Sequence, residues 1–330
     1  MSGRRQQHGI TLLQDGRVLV AAGIDTGGAN LNKPIHDTAE VYDPASGKWT
    51  ETGSMAEARH DFVMLTLEDG KVIAAGGRTL RLSYATHGAE VWDPVTGTWT
   101  PTSPLIDERD YFDGVLLQDG RVMVFGGFTQ EYGMQASTEI WDPATGEWTA
   151  GPDMSEDRAA HTATLLQDGR VLIVGGGKAD PPYSPTAEIY DPETNSFSPA
   201  GELGRGRQEH TATLLQDGRV VVVGGRGKRK EVEIYDPATN SWSDGGAIQV
   251  GRGEHSAALL SDGRLIIMGG TGNTASTEIY DPASNSWVVG PDMNEGRLRM
   301  AAVALNNGTI FVTGGNSRSG LLASTELYSQ

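Results

Sequence analysis

The chain of 330 residues contains no cysteine, which excludes disulfides, thiolate metal ligands and cysteine nucleophiles and leaves the redox compartment open. No apolar run approaches the ~18 residues of a membrane helix, so no membrane span is expected. The start, MSGRRQQHG, has no apolar stretch after its arginines and does not read as a secretory signal, although a leader removed from a secreted form would leave the same start. Cations are few, 26 against 43 acids. The resulting formal charge of −17 repels phosphate backbones and argues against nucleic acid as a partner. The chain also holds no Walker sequence, no HExxH and no GxSxG.

Glycine, by contrast, is abundant, with 45 residues recurring at fixed places. The phrase LLQDGRV returns unaltered, and its turn glycine marks seven units: Gly16, Gly70, Gly120, Gly169, Gly218, Gly263 and Gly308. An arginine stands eleven residues before each, from Arg5 to Arg297, and a second glycine seven residues after. Each unit also carries a glutamate (Glu40, Glu90, Glu139, Glu188, Glu233, Glu278, Glu326), followed in the first six by an aromatic nine residues on. Only the interval from the second glycine to the glutamate varies, between 8 and 17 residues.

Each unit reads as four short strands. Strand A is of the HTATLL type, B of the RVLVVGG type, C of the TAEIYDP type and D of the SWSDG type. Asp-Gly between A and B is a tight hairpin signal, and DPATN between C and D is a second turn. Four-stranded units of about 45–50 residues repeated radially describe an all-β, seven-bladed propeller. Its blades run at approximately 4–55, 56–105, 106–154, 155–203, 204–248, 249–293 and 294–330 in one domain. The double glycine of strand B, the EIYDP of strand C and the tryptophan of strand D resemble the kelch-repeat family over the whole chain. That family hosts adaptors, binders and enzymes, so the resemblance implies a fold rather than a function. Kelch-like galactose oxidases use copper with a cysteine–tyrosine crosslink, a chemistry that a chain without cysteine does not inherit. The template also calls for a strand D after Glu326, where only four residues remain, so 27 strands are expected. Strand C of blade 7 is then an open edge suited to pairing with another chain.

The seven copies serve as a control: a residue present in every blade reads as structural, one that departs from the template as a candidate for function. The seven arginines and glutamates read as structural pairs. His8, His161, His210 and His255 share a strand A slot with Phe62, Phe112 and Met300, which marks them as core histidines. The strand D aromatics read as wedges between blades. The B–C loops and the entries to strand A lie on one face, which concentrates the variation there. Three groups of candidates occupy it. His36, His60, His87, Asp61, Asp110, Tyr111 and Asp113 offer imidazoles and carboxylates for acid–base chemistry or a divalent metal, with His60, Asp61, Asp110, Tyr111 and Asp113 as the catalytic set. Neighbours such as His60 and Asp61 are expected on opposite sides of a strand. Arg205, Arg226, Lys228, Arg229 and Lys230 offer a cationic pocket for a carboxylate or an acidic peptide. Leu80, Leu82, Tyr84, Phe128, Tyr132, Met134 and Tyr183 offer apolar contact area. Arg78, Glu209, Glu254 and Arg299 complete the ligand-binding candidates at the mouth of the channel.

Three functions fit these residues. The first is a non-catalytic scaffold with no cofactor, gripping a small molecule, glycan or peptide. The second is an enzyme of isomerase, lyase or cyclase type in blades 1 to 3. The third is a structural module of a larger secreted protein.

Overall fold

The computed structural model describes residues 1–25, 35–80, 84–177 and 183–329. They contain no helix, and 27 of the strands form seven antiparallel sheets arranged in a ring. Blade 4 is representative: strands A to D are Thr162–Leu165, Val171–Val174, Thr186–Asp191 and Ser196–Glu202, hydrogen-bonded in that order. Blades 1 to 6 have four strands. Among the described residues blade 7 has three, Ala301–Ala304, Ile310–Thr313 and Thr325–Tyr328.

The local chemistry explains the hairpins. In the A–B turn of blade 1 the Asp15 carboxylate accepts from the Arg17 N–H at 3.0 Å, and Gly16 adopts φ +86°, where a side chain would be strained. Strand B is buried throughout in every blade. Each strand A lies beside the strand A of its neighbours, so these strands wall the central channel, and Gly9–Leu12 packs against both Val63–Thr66 and Ala301–Ala304 to close the ring. The apolar core is seven seams rather than one centre, each seam joining adjacent blades.

The strand D aromatics fill these seams as wedges. Phe197 of blade 4 contacts Tyr190 of its own strand C and Phe125 of blade 3, with ring centroids 5.3 and 6.4 Å apart. Trp49 of blade 1 reaches Phe311 of blade 7 at 5.9 Å, so the closing seam uses the same device. The repeated arginines are fully buried, and each is paired with the glutamate of its own blade, at 3.1 Å for Arg5–Glu40 and 2.6 Å for Arg109–Glu139. Arg109 also donates to the carbonyls of Gly126 and Ser137, and Glu139 accepts from the Ile106 and Asp107 N–H groups. This network ties strand A, the B–C loop and the incoming link together in each blade. The core histidines are buried as expected. Thr162 and Thr211 bond to His210 and His255 of the following blades, at 3.1 and 2.9 Å.

Three of the variable B–C loops form two-stranded ribbons: Arg78–Leu80 with Tyr84–Ala85, Phe128–Thr129 with Gly133–Met134, and Asn316–Ser317 with Gly320–Leu321. They raise walls around one end of the channel.

Candidate functional site

Two residues after each buried arginine the chain turns into the left-handed region. Gln7, Asp61, Tyr111, Ala160, Glu209, Glu254 and Arg299 all have φ between 50° and 56°. Holding seven non-glycine residues there costs free energy, and the compensation is visible. The N–H of all but Tyr111 donates to the carbonyl of the equivalent residue in the preceding blade, as from Ala160 to Tyr111 at 2.7 Å and from Glu254 to Glu209 at 3.0 Å. The result is a collar around the channel mouth. It is interrupted between blades 2 and 3, where no such bond joins Tyr111 to Asp61.

The residue before each collar position is paired through its backbone with the residue after the double glycine. His60 pairs with Arg78, Asp110 with Phe128, Ala159 with Gly177, and Gln208 with Arg226. Three template slots per blade therefore shape the mouth. Blade 4 fills all three with small residues, Ala159, Ala160 and Gly177, and a cavity of about 620 Å³ opens over it. Tyr111, Phe128 and Met134 of blade 3 form one wall, and Gln208, Glu209 and Arg226 of blade 5 form the other. Arg78 and Arg299 close it from blades 2 and 7.

The charges here are arranged in pairs. Arg78 makes a short contact to the buried Asp110 carboxylate, and its guanidinium lies 5.1 Å from the centre of the Tyr111 ring. Burial pushes Asp110 up to about 6 although Arg78 pulls against it. Burial, together with the nearby Glu254 carboxylate, raises Glu209 against the pull of Arg226 and Arg299. Arg299 is held by Glu254 at 2.6 Å. The site thus offers guanidinium groups, carboxylates and the half-exposed faces of Tyr111 and Phe128 to one ligand.

The expectation that His60 and Asp61 face opposite ways is corrected. His60 Nδ1 and the Asp61 carboxylate are 3.0 Å apart. The alternation of side chains holds for extended backbone, and Asp61 at φ 53° is not extended. Asp61 also accepts two bonds from Gln7, at 2.7 and 2.6 Å. Of the rest of the proposed catalytic set, Asp110 and Tyr111 meet at Arg78 and both feel the Asp61 charge, whereas Asp113 is held elsewhere. Asp113 sits in strand A, where it accepts from the N–H groups of Gly114 and Ala163, and burial pushes it up to about 6. His36 is bonded to the Arg4 carbonyl at 3.2 Å, and His87 is exposed. Among the described residues, no three His, Asp or Glu side chains come together as ligands for a metal ion.

Of the remaining candidates, Tyr132 is exposed and outside the cavity. Arg205, Lys228, Arg229, Lys230 and Tyr183 line a neighbouring cleft that shares Arg226 with it. Leu82 and the side chains of Leu80 and Tyr84 lie outside the described residues. Ala160 and Gly177 were not singled out as site residues. Their signal was small size at slots that carry large or polar side chains in most other blades.

Among curated proteins none matches this chain in sequence. In fold it is similar to a solved structure described as a novel fungal alcohol oxidase with catalytic diversity among the AA5 family, in complex with copper. The two share 19% identity and a TM-score of 0.79 over 99% of this chain and 74% of that one, a likeness of fold alone. The residues here do not fit a copper centre of the cysteine–tyrosine kind, since there is no cysteine and no described cluster of ligands. Residues 113–315 match the model of the KLHDC2/KLHL20/DRC7 Kelch-repeats domain. Together with seven blades closed into a ring, that match places the chain in the Kelch-repeat family.

Proposed function

We propose that this Kelch propeller is a recognition module whose ligand, a small molecule, glycan or peptide, sits in the cavity above blade 4. One observation carries the reading. The polar groups common to all blades are spent on the frame, whereas the cavity is lined by side chains that depart from the template. Ala160→Tyr tests it. The variant fills the cavity with a side chain that blade 3 already carries at the same backbone position and φ, so the fold should tolerate it. Ligands retained by the immobilised wild-type chain from small-molecule, glycan and peptide libraries should be lost by the variant, with thermal stability unchanged. Undiminished binding would refute the reading.

One observation favours a second reading, a proton-transfer enzyme. The Asp110 Oδ1 and His60 Nε2 atoms are both buried without a hydrogen-bond partner, in groups whose chemistry suits proton transfer. Asp110 is covered by Arg78, so that chemistry requires Arg78 to swing away. If the second reading holds, Asp110→Asn removes turnover of the bound ligand while sparing its binding. If turnover survives in the variant, Asp110 is not the acid or base.

A further inference from the structure

Beside the cavity, over blade 5, lies a cleft of about 600 Å³ that gathers Arg205, Arg226, Lys228, Arg229 and Lys230 in a chain whose net charge is −17. The frame arginine beneath them, Arg207, already holds Glu233 at 2.5 Å. The five cleft cations make no ion pair among the described residues, and Glu231, which lines the same cleft, instead accepts from the Lys230 backbone N–H. The Nε of Arg229 is buried without a partner, and burial followed by repulsion from Arg205 lowers its pKa against the pull of Glu231.

The backbone carrying these charges is held in place. The Arg226 N–H donates to Gln208 at 2.9 Å, the Lys230 carbonyl accepts from Ile248 at 3.0 Å, and the Arg229 carbonyl accepts from Arg252 at 3.1 Å. A cluster of like charges on a tethered loop is an arrangement that an anion relieves, with little ordering left to be done on binding. Arg226 belongs to both cleft and cavity, so one ligand can span them.

We propose that the cleft is the anion-binding half of the ligand site and that the ligand is an acidic sugar chain, with a sugar ring against Tyr111 and Phe128 and its carboxylate or sulfate on Arg226, Lys228 and Arg229. This rests on the recognition reading above. The acids among the lining residues distinguish the sugar from an acidic peptide. Glu209 and Asp157 in the cavity and Glu231 in the cleft only accept hydrogen bonds when ionised. Sugar hydroxyls donate to them, whereas the ionised side chains of an acidic peptide repel them. The aromatic walls provide flat apolar faces for a sugar ring.

The test is calorimetric titration of the whole chain, at physiological salt, with a short oligogalacturonate, a sulfated oligosaccharide, an uncharged oligosaccharide and polyglutamate. The first two separate carboxylate from sulfate as the anion. Binding of at least one of them, about tenfold tighter than the uncharged sugar and polyglutamate, is expected from loss or gain of charge-assisted bonds. Lys228→Asn with Lys230→Gln changes exposed side chains, and asparagine suits the φ of 57° at position 228. The double variant should weaken the acidic sugar about tenfold and leave the uncharged sugar unchanged. Polyglutamate binding as tightly as the sugars, no binding of either acidic sugar, or an unaltered double variant would each overturn the proposal. Failure of the recognition reading itself is separate, because it shows as Ala160→Tyr leaving the binding of every ligand intact.

Discussion

At the scale of single residues, buried polar groups set how the protein responds to pH. Burial, with arginine neighbours adding to it, pushes His8, His161 and His255 down to about 3. The unfolded chain therefore takes up protons below about pH 6.5 that the folded chain refuses, and stability falls from there down to about pH 3. Asp110 and Asp113 act in the opposite sense. Each is raised to about 6, so the folded state holds its proton more tightly, and acidification through that range adds stability. The histidines dominate by number and by the size of the shift. Each should cost roughly 2 kcal/mol on going from pH 7.5 to pH 5. Urea midpoints measured at the two values should fall with pH. His161→Phe, a side chain the same slot already accepts at positions 62 and 112, should reduce that fall. The buried ion pairs give a second expectation. Glu139→Gln leaves Arg109 buried beside a neutral amide and should lower unfolding free energy by about 3 kcal/mol in denaturant titration.

At the scale of the element, each strand does one job along the radius of its blade. Strand A provides the channel wall and strand B the buried middle, while C and D present aromatics to the seam. Trp148 is buried against Trp141 and the apolar side chains of blade 2. Trp148→Ala should therefore cost about 3–5 kcal/mol, read as a shift in the urea midpoint. The same truncation at the collar should cost far less, because Tyr111 is half-exposed and its ring stacks under the Arg78 guanidinium at the edge of the cavity. Among the described residues Thr325–Tyr328 is hydrogen-bonded to Ile310–Thr313 alone, where the other blades pair strand C on both sides.

At the scale of the whole molecule, the ring closes by packing and by backbone hydrogen bonds across the last seam, such as Gln7 N–H to Arg299 and Gly315 N–H to Arg5. The four strands of blade 1 all come from residues 9–52, and Tyr42 and Trp49 meet Phe311 of blade 7 across the last seam. If this seam is equivalent to the other six, Phe311→Ala should lower the melting temperature of the entire protein in a single calorimetric transition. A separate early transition would mean that the closing seam opens independently of the others.

Much of this was legible in the sequence because a repeat carries its own alignment. Gly16 and its six equivalents, the arginine eleven residues before each, and the glutamates were enough to predict seven blades, their strand order and the variable face. Periodicity also separated His161, in a slot shared with phenylalanine, from His60, which departs from the template. Arg78, Tyr111, Phe128, Glu209, Arg226 and Arg299 were chosen on the same ground, and the structure brings all six to one cavity. What spacing could not supply was direction. The left-handed backbone at Asp61 turns that side chain onto His60, and nothing in the residue types announces the turn. Position across the channel was equally hidden. Arg78 and Arg299 lie 221 positions apart in the chain, and only ring closure sets them over one opening. Local turn chemistry and strand patterning therefore determined the frame from sequence alone. The shape and charge of the mouth depended on the tertiary structure, because they arise from side chains of different blades that meet only when the ring is closed.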